Sequence, residues 1–132
     1  MYKELVELIE TKIKQSGIIK KAVFGQAVEY VEHNKTFPYC VIEPNGINYE
    51  GQYVNCSFRL YLLDQRRKDR LNVLPIINEM EQVSQQFLLD MVNQFWMVDF
   101  NSISSEVEFF SQDEETCGVI LSITFKKERC LE

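Results

Sequence analysis

The run "QYVNCSFRLYLL", residues 52–63, limits what this chain can fold into more than any other stretch. Val54, Cys56, Phe58, Leu60 and Leu62 share one parity, and Tyr53, Asn55, Ser57, Arg59 and Tyr61 share the other. Successive side chains of a strand point to opposite faces, so the run reads as a strand with one wholly apolar face. That face has to be covered by another layer. The opposite face, with its tyrosines and arginine, suits contact with another protein.

Two amphipathic segments can supply the cover. In residues 2–15, Leu5, Leu8, Ile9 and Ile13 recur at helical spacing, with Glu4, Glu7, Lys12 and Lys14 around them, and Ser16-Gly17 marks the end. The second helix is longer. Val73, Ile76, Ile77, Met80, Val83, Phe87, Leu88, Met91 and Phe95 form a broad stripe, followed by Trp96 and Met97. Asn72 stands where a side-chain cap belongs, and Pro75 falls in the first turn, where no intrahelical donor is lost.

Shorter strands complete the set. Residues 20–25, "KKAVFG", are one, and Pro38 opens another, "YCVIE". Residues 26–35 alternate like a strand in "AVEYVEH" and then turn to loop chemistry. Asn45-Gly46 is a turn signal between the second and third strands. "SSEVEFF" leads through a polar turn, "SQDEETCG", into "VILSITFKK". Gly25, Gly46, Gly51 and Gly118 read as residues of turns or strand ends. The expected architecture is α+β in two layers, ordered α-β-β-β-α-β-β, a mainly antiparallel sheet covered by two helices. At 132 residues it forms a single domain, 1–132.

The composition restricts the chemistry. A net charge of -6 disfavours general binding to nucleic acid. The four cysteines, Cys40, Cys56, Cys117 and Cys130, lack paired spacing, and His33 is the single histidine, so a zinc site and a nucleophile–histidine pair are not expected. There is no glycine-rich phosphate loop, and the acids of "SQDEETCG" lack the spacing of a calcium loop. Neither an enzyme nor a cofactor is expected. The segment "MYKELVELIE" is charged and amphipathic, and no run is long enough to span a bilayer. Synthesis in a reducing cytoplasm follows.

The element order, with "FPY" opening the second strand and a long helix after the third, resembles the tail-completion or tail-terminator proteins of tailed bacteriophages. The stretch "FRLYLLDQRRKDRLNVLPIINEM" is similar to neck or tail structural proteins of phages infecting Bacteroidetes, including crAss-like phages. In those, the third strand ends in an aspartate, a charged loop follows, and an aspartate and an asparagine precede the long helix; Asp64, Asp69 and Asn72 match. The terminal "ITFKKERCLE" resembles their chain ends. The resemblance implies a virion protein made in the bacterial host cytoplasm. It would form a homo-oligomeric ring, sixfold or twelvefold, between neighbouring connector and tail proteins, with DNA passing through its channel without sequence-specific contact. A soluble assembly adaptor or chaperone, absent from the particle, is the alternative.

In that setting the loop of Asp64, Arg66, Arg67, Lys68, Asp69 and Arg70 becomes a candidate subunit contact. Asp69 would favour the positive end of the long helix, leaving the arginines to meet carboxylates such as Glu114 and Glu115 of the next copy. A solvated turn and a DNA contact are the competing readings of the same run.

Overall fold

The computed structural model describes residues 2–27, 36–65, 72–92, 97–109 and 116–128, the side chains of 108 and 109 excepted. The elements are α1 (Tyr2–Lys14), β1 (Lys21–Phe24), β2 (Tyr39–Glu50), β3 (Tyr53–Gln65), α2 (Val73–Met91), β4 (Met97–Val98), a 3-10 turn (Phe100–Ser102), β5 (Ser104–Phe109) and β6 (Thr116–Glu128). They build one six-stranded sheet in the order β1-β2-β3-β6-β4, with β5 also beside β6. The fold is α+β, and most of the sheet is antiparallel. The β1–β2 pair is parallel, which makes the sheet mixed.

The β3 alternation does what its pattern requires. Val54, Cys56, Phe58, Leu60 and Leu62 are buried against Leu5, Ile9 and Ile13 of α1 and Ile76, Met80, Val83, Phe87 and Met91 of α2. Cys40 and Ile42 of β2 and the odd-numbered residues 117–125 of β6 extend the same apolar face. Both helices therefore lie on one side of the sheet. Phe58 anchors the centre, with Tyr2 stacked on it at 5.7 Å and Phe125 edge-on at 6.0 Å between ring centroids. Such pairs add to the stability that burial alone supplies.

The opposite face is not uniformly open. Tyr39, Val41, Tyr61, Leu63 and Ile120 are buried there with Ala27, and Val23 and Phe37 pack against them. Tyr61, expected on a surface facing other proteins, thus belongs to a second, smaller core. A polar clasp borders it. The Glu43 carboxylate accepts from the Ala27 backbone N–H at 2.8 Å and the Tyr61 hydroxyl at 3.2 Å, with Arg59 Nη1 3.9 Å away. The Arg59 guanidinium also lies 5.4 Å from the Tyr61 ring centre.

Four local expectations are corrected. Asn45-Gly46 is not the hairpin turn. The strand runs on to Glu50, and the register shifts between Pro44 and Gly46 as a bulge, with Gly46 at φ +126°. The chain reverses at Gly51-Gln52 instead, between paired Glu50 and Tyr53, with Gly51 at φ +59°. An Asn-Gly pair signals positive φ, and a bulge uses that conformation as readily as a turn does. Second, Asn72 precedes α2 without a side-chain capping bond. The third helical residue is Pro75, which has no N–H to offer such a cap. The Asn72 Nδ2 donates instead to the Gln65 carbonyl at 3.1 Å, joining the start of α2 to the end of β3. Third, β6 begins at Thr116, so Gly118 lies inside a strand. A Cβ there would run into the Leu62 carbonyl, and glycine is what lets β6 lie this close to β3. Fourth, β4 and the 3-10 turn add to the expected order. α2 ends at Met91, and Phe95 and Trp96 lie outside the described residues.

The phase of α2 yields an ordered expectation. Phe87 is 1% exposed, and its truncation to Ala should destabilise by about 3–5 kcal/mol. Asn72→Ala removes the exposed hydrogen bond to Gln65 rather than a cap and should cost about 0.5–1 kcal/mol. Glu81→Ala, on the exposed face, should be within about 0.5 kcal/mol of neutral. Urea unfolding of the three variants checks the ranking, and a Phe87→Ala effect as small as that of Glu81→Ala would contradict the helix phase.

Candidate functional site

Of the charged loop singled out in the sequence, Asp64 and the flanking Asn72 are described; Arg66, Arg67, Lys68, Asp69 and Arg70 lie outside the described residues, as do Glu114 and Glu115, His33 and Cys130. Asp64 pairs in register with Cys117 near the end of β3 and is partly buried. Its Oδ1 accepts from the Gln65 N–H at 2.7 Å. Burial pushes the carboxyl above its ordinary value; the Gln65 hydrogen bond and the Lys20 charge offset this in part. With Asn72 bonded to Gln65, the two residues flanking the basic run are held together.

A concavity sits elsewhere, on the sheet face away from the helices. It is a groove of about 640 Å³ at the far end of the β2–β3 hairpin. Asn48 and Glu50 of β2, Tyr53, Asn55 and Ser57 of β3, and Thr124 and Lys126 of β6 form its floor; residues 97–101 form one wall. The floor follows from strand parity, since residues 53, 55 and 57 are the polar set of the founding alternation. The wall escaped sequence reading because "DFNSI" is too short to show periodicity. Its signal is local. The Asp99 carboxylate accepts from the Asn101 N–H at 3.1 Å, and the Asp99 carbonyl accepts from the Ser102 hydroxyl at 2.8 Å, which shapes the 3-10 turn. Many floor groups are engaged with one another. Ser57 and Thr124 share a hydrogen bond of 2.8 Å, Asn55 donates to Glu50 at 3.2 Å, and the Lys126 ammonium lies 4.3 Å from the Tyr53 ring centre. Phe100 stands 61% exposed on the wall. An exposed aromatic beside amides suits polypeptide contact better than bond-making chemistry.

Cys40, Cys56 and Cys117 are buried thiols, and burial pushes Cys40 and Cys56 above the ordinary thiol range, away from the reactive thiolate. Among the described residues no group of three or more His, Cys, Asp and Glu could hold a metal ion, and no helix is long and apolar enough to cross a membrane.

The edges of the sheet are the other distinctive surface. Among the described residues, β1 pairs with residues 39–42 of β2, and β5 pairs with β6. Residues 44–50 of β2 and residues 104–107 of β5 are exposed on both faces, with Ile47, Tyr49 and Val107 among the large apolar groups they show. Compared with known proteins, the chain matches no family model and no curated sequence.

The Asp64 environment has a testable pH signature. Its folded-state pKa lies above the ordinary 3.8, so the ionised carboxylate lowers stability at neutral pH, and this penalty disappears as pH falls below the unfolded value. Asp64→Asn keeps the oxygen that accepts from Gln65. It should raise the urea midpoint at pH 7, with the gain shrinking to nothing at about pH 3. A variant less stable than the parent at pH 7 would contradict the assignment. Thiol titration of the denatured protein, without reductant, should find all four cysteines.

Proposed function

We propose that this chain is a non-enzymatic structural protein of the neck of a tailed bacteriophage, where copies assemble into a ring between head and tail. The observation that carries the reading is the apolar surface that the described residues leave outside the cover of α1 and α2. α1 and α2 shield one face of the sheet's centre, while the end of the hairpin, β5 and the wall residue Phe100 leave apolar side chains in water. Exposed large apolar groups are candidate association sites. The resemblance of the chain's motifs to phage tail-completion proteins supports the same assignment, and the acidic charge suits a lumen that lets DNA slide rather than stick.

Within that reading, the basic run supplies a second contact. Arg66, Arg67, Lys68 and Arg70 lie in the sequence between Gln65 and Asn72, which are tied by a hydrogen bond, and would meet carboxylates of an adjoining copy or connector protein.

Negative-stain microscopy and light scattering of the purified protein test the proposal. Rings are the expected outcome, and a monomer at every concentration and salt would contradict it. Replacing Arg66 and Arg67 together by Glu should reduce the oligomeric fraction at low salt without lowering the melting temperature, because exposed pairs contribute about 0–1 kcal/mol each and act additively round a ring. Unchanged assembly in that variant would remove the basic run from the contact.

A further inference from the structure

We infer that the groove at the hairpin end binds a short stretch of neutral oligosaccharide, held by side-chain amides of its floor and wall and by the exposed ring of Phe100. The inference goes beyond the ring reading and does not depend on it.

Strand register builds the floor. Asn48 lies opposite Asn55, Asn55 opposite Lys126 and Lys126 opposite Met97, so the four form one row across four strands. The 3-10 turn that Asp99 shapes adds Asn101 from the wall. Three amides thus line one concavity of about 640 Å³, within the range of about 300–1,000 Å³ usual for small-ligand sites.

These amides keep bonding capacity. Among the described residues, the side chains of Asn48 and Asn101 make no hydrogen bond, and that of Asn55 makes one, from Nδ2 to Glu50. A side-chain amide both donates and accepts, and so does a sugar hydroxyl, so one amide can meet two neighbouring hydroxyls of a ring. Surface asparagines ordinarily bond water alone. What sets these apart is that they converge on a concavity beside an uncovered aromatic ring.

Phe100, 61% exposed, supplies the apolar part, with Met97, 53% exposed, at the end of the amide row. A pyranose ring has a face of C–H groups and a rim of hydroxyls. An aromatic side chain next to amides meets both, and covering the exposed ring removes apolar surface from water. Floor and wall are held by their own bonds, among them Ser57 to Thr124 at 2.8 Å, so little ordering is lost on binding.

Charge and backbone decide between ligand classes. Glu50 and Asp99 disfavour a phosphate, a sulfate or an acidic sugar. Each of these carboxylates already accepts a bond from a neutral donor, and Lys126 stands among them, so the attraction for a cation is weak. A polypeptide held through its backbone needs an open strand edge, whereas this floor is a sheet face whose backbone groups are paired in the β2–β3 and β3–β6 ladders. An uncharged polyol fits what remains.

Saturation-transfer difference NMR with chitotriose, cellotriose, maltotriose and mannotriose tests the site, each sugar titrated to about 10 mM, enough to fill a site of millimolar Kd. At least one sugar should receive saturation from the parent. Phe100→Ala should weaken its binding on the order of tenfold, and Asn48→Ala by about threefold to tenfold. Both positions are exposed, so circular dichroism melting should show both variants folded like the parent. Glu81→Ala, on α2, should bind as the parent does. Affinity should be the same at low and high salt, because no ion pair forms. No transfer to any of the four sugars, or undiminished binding in both Phe100→Ala and Asn48→Ala, would overturn the inference. A strongly salt-dependent affinity would overturn the neutral class. Self-association that Phe100→Ala abolishes, with no sugar bound, would assign the groove to a protein contact instead.

Discussion

Everything in this molecule depends on the ladder between β3 and β6. The two strands lie antiparallel in unbroken register from Tyr53 against Glu128 to Gln65 against Thr116. Their inward side chains make the floor on which both helices rest. Gly118 permits the close approach at one end, and Phe58 and Phe125 lock their rings at the centre. The other strands attach to this pair: β2 and β1 on the β3 side, β5 and β4 on the β6 side. Loss of apolar contact on that floor is felt by every element, which is why the stripe of α2 matters more to stability than its surface charges or its first residue.

The central strand and both helices were legible because their periods are long and clean. Thirteen residues of β3 and nineteen of α2 repeat at periods of 2 and 3.6 often enough to fix which side is inward. What was illegible is local or two-sided. Asn45-Gly46 carries the chemistry of positive φ, and composition alone does not say whether a bulge or a turn will use it. Asn72 has the right side chain for a cap, but Pro75 removes one of the donors it would bind. Tyr61 reads as an outer-face residue, and its burial depends on Ala27 and Phe37, which are distant in sequence. Of the charged loop from Asp64 to Arg70, the structure places Asp64, and it shows the flanking Gln65 and Asn72 held together. The groove was half readable: its floor follows from parity, and its wall comes from a short 3-10 turn.

Among the described residues, α1 and α2 cover one side of the sheet, and the strands at its margins are short. The sheet's rigid element is the central ladder. Among the described residues, β1, with four residues, pairs with β2, and β5, with six, pairs with β6. The outer-face groove, built from the same ladder at the hairpin end, adds a separate concave surface with the exposed Phe100 on its wall.

Amide hydrogen exchange measured at low and at high protein concentration tests this account most directly. Amides of β3 and β6 should be strongly protected at both concentrations, since the ladder is complete within one chain. Amides of residues 104–107 of β5, exposed at the margin of the sheet, should exchange faster at both concentrations. Exchange in β3 and β6 as fast as in residues 104–107 would contradict the claim that the central ladder is what the rest of the structure depends on.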